Sequence, residues 1–180
     1  PPRSPVLAWY GAGFADFVED FPPAAGLPYL AEVARLEWLR VEAWHAADAD
    51  PLPLAEISAL LADAAALPAL RLALHPALRL LRSAHPVVSI WAAHQAEATA
   101  AALDAVDFAT AEAALIVRDR LDVTIQRIEP GAAAFIGRLL DGATFGEAAA
   151  AAGAFGLAAT LALLLRSGAV IGATPAGRMS

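Results

Sequence analysis

Hydrophobic residues follow two different spacings along the 180-residue chain, and the helical spacing predominates. Apolar residues that recur every three to four positions predict helices, at 29–47, 54–66, 86–94, 130–140, 144–152 and 157–166. Short apolar or alternating runs predict strands, at 70–74, 77–82, 113–118, 121–128 and 169–171. The pattern therefore predicts an α+β fold that is mainly helical and contains a small antiparallel sheet.

The beginning of the chain differs from the rest because it is rich in proline and glycine. We expect residues 1–28 to be a connector from an N-terminal domain that precedes this sequence, and residues 29–180 to form one α+β domain. Within the connector, the spacing of three phenylalanines predicts the stripe of a short helix: Phe14, Phe17 and Phe21. On the first long helix, these residues fall near one face, with Trp38 beside it: Leu30, Val33, Glu37, Val41 and Trp44.

The last third of the chain carries clear signals for helix boundaries. Pro130 suits the first turn of a helix, Thr144 and Glu147 have the spacing of a capping box, and Gly168 suits a helix end. A hairpin, a helix, a helix–turn–helix and a final strand follow one another in this region. We therefore expect a winged-helix-like subdomain over residues 111–173.

Composition and charge exclude several kinds of site. The chain has no cysteine, which rules out disulfides and cysteine-based metal sites and leads us to expect a cytoplasmic protein. Its net charge of −7 repels phosphate unless a local basic patch intervenes. Residues 148–165 are uncharged and reach the lower length limit of a membrane span. Because Gly153 and Gly156 interrupt them, we expect two short buried helices and no membrane partner.

The polar residues form no recognisable catalytic, cofactor or metal motif. The four histidines, at 45, 75, 85 and 94, lack the short regular spacing typical of metal ligands. The motifs of serine nucleophiles, phosphate loops and dinucleotide sites are missing. Residues 157–166, the candidate recognition helix, offer no side chain that reads a base before Arg166. We therefore expect a non-catalytic binding domain without a cofactor, for which nucleic acid is a disfavoured partner.

A cluster of arginines is the most suggestive polar feature. Arg71, Arg79 and Arg82 lie close together in sequence, beside apolar positions. They either face solvent from the surface of a sheet or line a groove for an acidic or extended peptide, because arginine forms directed pairs with carboxylates. The second interpretation, together with the outward face of the predicted hairpin, gives these candidate contact residues: Arg71, His75, Arg79, Arg82, Asp122, Thr124 and Gln126.

Several runs of residues resemble a bacterial family. The runs are Pro28-Tyr29-Leu30, Ala34-Arg35-Leu36-Glu37-Trp38, His45-Ala46, Leu74-His75-Pro76-Ala77-Leu78-Arg79-Leu80-Leu81-Arg82-Ser83, His85-Pro86-Val87, Ile90-Trp91-Ala92-Ala93-His94-Gln95, and 135–147 with Leu140, Gly142 and Glu147. They are similar to signatures of the HvfC/BufC-type family. That family includes partner proteins of multinuclear non-haem iron oxidases, which modify ribosomally made peptides.

The resemblance implies that the chain binds a precursor peptide and presents it to such an oxidase, which would hold the iron and perform the oxidation. The family's DNA-binding label belongs to an N-terminal domain outside this sequence. An extended leader peptide can add as a strand to an open sheet edge, and the apolar helix at 157–166 could form one wall of the groove. The alternative function is a DNA-binding, transcription-associated regulator.

Overall fold

A computed structural model describes residues 11–95 and 100–175 and confirms the mainly helical α+β fold. Its helices are α1 (Phe14–Glu19), α2 (Leu30–His45), α3 (Leu54–Ala62), α4 (Val87–Gln95), α5 (Ala100–Asp104), α6 (Pro130–Leu140), α7 (Phe145–Ala152) and α8 (Leu157–Arg166). Its strands are β1 (Leu70–Leu74), β2 (Arg79–Ser83), β3 (Glu112–Asp119), β4 (Asp122–Ile128) and β5 (Val170–Pro175). The first part of the predicted connector, residues 1–10, lies outside the described residues.

The strands form two antiparallel sheets. In the larger sheet β3 is central and has β2 on one side and β4 on the other. The smaller sheet pairs β1 with β5 and contains one register shift, between Ala73 and Leu74. The hairpin of β3 and β4 closes through Arg120 and Leu121, and Arg120 has a φ of +55°.

The three-stranded sheet lies between two layers of helices. Successive side chains of a strand point to opposite faces, and β3 is buried on both of them. Leu115 belongs to the core that contains Phe135 of α6. Ile116 belongs to the core that contains Leu36 of α2 and Val87 of α4. The two cores therefore share strand β3.

The buried face of α2 differs from the face that the hydrophobic spacing predicts. Leu36 and Ala43 are both 0% exposed and pack in the same core as Ile116. Leu30 and Trp44, which belong to the face that the spacing indicates, are 37% and 48% exposed. A small alanine side chain lets the helix approach the sheet closely. The spacing of the large apolar residues does not reveal such a contact.

Helix α1 shows the same effect. Val18 and Ala15 are buried, whereas the predicted phenylalanine stripe is exposed. Phe17 stacks between Phe14 and Phe21, with ring centroids 6.4 and 5.4 Å apart. The stripe therefore forms as predicted but lies on the outer side of its helix.

The helix signals of the last third are confirmed, but the predicted arrangement of its elements is not. The Thr144 hydroxyl accepts from the Glu147 N–H (3.3 Å), and the Glu147 carboxylate accepts from the Thr144 N–H (2.8 Å). Gly168 closes α8 with a φ of +64°. Strand β5 pairs with β1, which lies outside residues 111–173, and not with the hairpin. The winged-helix-like prediction is therefore not confirmed.

The uncharged stretch at 148–165 is divided between two helices, as predicted. Gly153, with a φ of +71°, ends α7, and Gly156 precedes α8. No helix within residues 11–95 and 100–175 combines the length and the apolar character that crossing a membrane requires.

Candidate functional site, an open sheet edge

Strand β4 has a neighbouring strand on one side only, among the residues that the structure describes. It pairs with β3 over its whole length without a register shift. Because a two-residue turn joins the strands, Asp119 and Asp122 form a hydrogen-bonded pair. Along an antiparallel ladder, such pairs alternate with pairs whose backbone groups point away from each other. The N–H and C=O groups of Val123, Ile125 and Arg127 therefore point to the open side.

The side chains of β4 alternate between the two faces of the sheet, as the sequence predicts. Val123 and Ile125 are half-buried against the core below α2. Asp122, Thr124 and Gln126 are exposed, and strand alternation places them on the face away from α2. Three of the predicted contact residues therefore lie together along the open edge.

A small pocket lies where the end of α2 meets the beginning of β4. Its volume is about 230 Å³, and its lining residues are Arg40, Val41, Trp44, His45, Asp122 and Val123. It shares Val41 and His45 with an apolar cleft of about 640 Å³ between α1 and α2. The sequence gives no sign of this pocket, because the pocket depends on how α2 packs against a strand that is distant in sequence.

Arg118 of β3 holds the end of α2 beside this edge. Its guanidinium donates to the carbonyls of Trp44 (2.7 Å) and Ala47 (3.2 Å) and to the Asp48 carboxylate (2.6 Å). Carbonyls at the end of a helix have no partner within the helix, so these bonds satisfy groups that the helix leaves open. The position of Trp44 next to β4 is thereby fixed from the neighbouring strand.

The predicted arginine cluster does not form one surface. Arg79 and Arg82 both belong to β2, but their separation of three positions places them on opposite faces. Arg79 donates to the Glu42 carboxylate of α2 (3.1 Å) and to the carbonyl of Pro76 (2.6 Å). Arg82 donates to the carbonyl of Ala133 in α6 (2.7 Å). Both guanidinium groups are therefore engaged within the fold.

The remaining two predicted contact residues lie elsewhere. Arg71 belongs to the smaller sheet and donates to the carbonyl of Gly142. His75 is 8% exposed. Its Nδ1 accepts from the Ala77 N–H (3.0 Å), so its Nε2 carries the proton and donates to the carbonyl of Ala49 (3.2 Å). These two residues bond to loops within the fold and lie outside the three-stranded sheet, so their predicted role as contact residues stays a prediction.

A buried carboxylate ties helix α4 to the sheet. Glu112 of β3 accepts from the N–H groups of Val88 (2.9 Å) and Ser89 (3.0 Å), from the Ser89 hydroxyl (2.5 Å) and from the Arg127 guanidinium (3.1 Å). Burial has the largest single effect on the pKa of Glu112 and raises it, because burial disfavours the ionised carboxylate. The hydrogen bonds from Ser89, Arg127 and Val88 together outweigh this effect and hold the pKa below its ordinary value of 4.5. The ionised carboxylate caps α4 and positions Arg127 at the open edge.

A second polar cluster joins α2 to the segment before α4. The Ser83 hydroxyl donates to the Glu32 carboxylate, which lies 3.0 Å from His85 Nδ1. Serine and histidine thus share one acceptor, and their side chains do not bond to each other as an activated nucleophile requires. Within the described residues, no three side chains of histidine, cysteine, aspartate or glutamate are arranged to hold a metal ion.

Helix α8 follows a helix and a turn, but its outward residues are apolar. Ala158 and Ala159 are exposed, whereas Thr160 is buried and donates to the carbonyl of Gly156 (3.0 Å). Base edges are read by hydrogen-bonding side chains. The exposed face of α8 therefore offers no such reader before Arg166, and no observation favours the DNA-binding alternative.

Comparisons with known proteins add no family assignment. No protein-family model matches this chain, and no curated protein matches it either. The resemblance to the HvfC/BufC-type family therefore stays a prediction based on the quoted residues.

Proposed function

We propose that this domain is a non-catalytic partner protein that binds an extended segment of a ribosomally made precursor peptide. The segment adds as a further strand beside β4, and the domain presents it to a multinuclear non-haem iron oxidase. The iron and the oxidative chemistry belong to the oxidase. The observation that carries the proposal is the open, regular edge of β4.

Natural sheet edges are usually blocked, because an exposed row of N–H and C=O groups pairs with other chains. Proteins commonly block an edge with prolines, bulges, short strands or covering loops. Strand β4 has seven residues, contains no proline and has no register shift. The exposed side chains along this strand are polar: Asp122, Thr124, Gln126 and Arg127. An edge of this kind suits strand addition, in which backbone bonds give affinity and side-chain pockets give selection.

The family resemblance supports the proposed class of peptide and of enzyme, whereas the geometry of the β4 edge supports the proposed location of the site. The arginines no longer serve as the proposed peptide contacts, because they bond within the fold. The contact surface is instead the edge formed by the outward backbone groups of Val123, Ile125 and Arg127, with the exposed polar side chains beside it.

A proline at position 123 tests the role of the backbone. Val123→Pro removes an N–H that points to the open side, and proline is tolerated at such edge positions. Val123→Ala shortens the same side chain and keeps the N–H, so it is the matched control. We expect both variants to fold, as judged by thermal melts. Val123→Pro should lose the precursor peptide when the tagged chain is purified after co-expression with its genomic neighbours. Val123→Ala changes only a side chain that lines the pocket beside Trp44 and should still retain the peptide, at reduced yield.

The parent chain should also retain an iron-containing oxidase in the same purification, as measured by metal analysis of the eluate. Hydrogen exchange gives a second readout, because the amides of Val123, Ile125 and Arg127 should become protected when the peptide binds. Peptide binding that leaves these three amides unprotected, or that survives in Val123→Pro, contradicts strand addition. An eluate without peptide and without an iron enzyme contradicts the function.

A further inference from the structure

The pocket at the beginning of β4 lies where a side chain of the added peptide would be bound. Its lining combines the C-terminal turn of α2 with the first residues of the open strand. The apolar part of this lining consists of Val41, Trp44 and Val123. The pocket is thus continuous with the edge that the proposed function uses, and the following inference rests on that function.

Trp44 is held in an exposed position. It is 48% exposed, although a tryptophan is among the largest apolar side chains. Its backbone carbonyl accepts from Arg118 (2.7 Å), which also binds Ala47 and Asp48 just beyond the helix. These bonds anchor the backbone that carries the ring, so less conformational freedom is lost there when a ligand covers the tryptophan. Tryptophans are frequent among the residues that contribute most to binding.

Sheet geometry determines which peptide residue meets this ring. A residue of an added antiparallel strand that pairs with Val123 exchanges backbone hydrogen bonds with it, and its side chain points to the same face. Val123 itself lines the pocket. The side chain of its partner residue therefore lies on the face of the sheet that carries the pocket.

The other face of the edge has the opposite character. Thr124 and Gln126 are exposed there, and Asp122 is exposed at the rim of the pocket, so the peptide residues on either side of the partner residue meet polar groups. From these two faces, we infer that the bound peptide is an amphipathic extended segment. Its residue opposite Val123 is a large apolar or aromatic side chain, held in the pocket by Trp44, and its neighbours in sequence are polar.

A phage-displayed library of random short peptides, selected on the immobilised full chain, tests the inference without knowledge of the natural peptide. We expect enriched peptides to alternate apolar and polar residues around one large apolar or aromatic position. Trp44→Ala should weaken a synthetic enriched peptide by about tenfold or more in fluorescence anisotropy. Replacing the large apolar residue of the peptide by alanine should weaken its binding to the parent protein by a similar factor. The same replacement should hardly change binding to the Trp44→Ala variant, because the peptide residue and Trp44 contact each other.

Leu121→Ala is the matched control, since Leu121 is an exposed apolar residue at the hairpin turn outside the pocket; it should bind the peptide as the parent does. If Trp44→Ala keeps the same peptides at unchanged affinity while Val123→Pro loses them, the pocket inference is wrong and strand addition stands. If selection survives in Val123→Pro, or if the parent enriches no peptide, both the inference and the proposed binding mode are wrong.

Discussion

At the scale of single residues, the charged side chains of this protein serve the fold before they serve a partner. Glu112 shows this most clearly, because it is buried and receives four hydrogen bonds. We expect Glu112→Gln to lower the free energy of unfolding at pH 7 by about 1–3 kcal/mol, since the amide cannot accept as many bonds and leaves buried donors unpaired. Urea denaturation measures this loss, and Asp122→Asn, at an exposed carboxylate, is the control.

The same residue gives a pH dependence with a defined sign. The pKa of Glu112 is lower in the folded protein than its ordinary value of 4.5. The ionised carboxylate therefore stabilises the fold fully above that value, and the stabilisation is lost as the pH falls through the lowered pKa. We expect the stability difference between the parent and Glu112→Gln to shrink below about pH 4. A difference that stays constant down to acidic pH contradicts this assignment.

Arg79 and Arg82 provide a comparison between two arginines on one strand. Arg79 bonds to the Glu42 carboxylate and to two backbone carbonyls, whereas Arg82 makes one bond, to Ala133. We expect Arg79→Ala to cost about 1–3 kcal/mol of unfolding free energy and Arg82→Ala about 0.5–1.5 kcal/mol. If chemical denaturation shows that both variants keep the unfolding free energy of the parent, then both arginines only face solvent, which is the other interpretation of the sequence.

At the scale of helices and strands, local signals are strong, and the capping box tests one of them. Thr144→Ala removes the hydroxyl that accepts from the Glu147 N–H, and we expect a loss of about 1 kcal/mol in unfolding free energy. Glu147→Gln is the control, because glutamine also completes a capping box and should leave most of the stability in place. A Thr144→Ala variant as stable as the parent would show that α7 depends on packing alone.

Such local signals explain which parts of the fold the sequence predicts. Proline, glycine and the capping box locate α6, α7 and α8 nearly to the residue, and the β3–β4 hairpin lies within one residue of its predicted turn. The pairing of β5 with β1 is not predictable in this way, because it depends on contacts between distant parts of the chain. A hairpin is the default only for strands that a short turn connects.

One part of the candidate site is predictable from local sequence patterns, and the other part is not. The outward face of β4 follows from strand alternation, so Asp122, Thr124 and Gln126 lie where the sequence places them. The pocket beside Trp44 is different, because α2 packs against the sheet through Leu36 and Ala43 and leaves Trp44 half exposed. Hydrophobic spacing weighs large residues most, and it therefore misses a helix that approaches the sheet through alanine.

At the scale of the whole molecule, one strand couples both helical layers. Leu115 packs with α6 and Ile116 with α2 and α4, and both side chains are almost fully buried. Either truncation, Leu115→Ala or Ile116→Ala, should cost about 2–5 kcal/mol. Because β3 belongs to both cores, we expect the loss of one core to remove the support of the other, so that the protein unfolds in a single transition.

The distribution of tryptophans makes this expectation measurable. Three of the four tryptophans, Trp38, Trp44 and Trp91, belong to α2 and α4. In a Trp9→Phe background, tryptophan fluorescence therefore reports the layer that Leu115 does not face. In Leu115→Ala, the urea transitions followed by fluorescence and by far-ultraviolet circular dichroism should shift together and coincide, as a two-state transition requires. If the fluorescence transition stays at its original midpoint while the circular dichroism transition moves, the two layers unfold separately. The edge strand β4 would then be held by the α2 layer alone.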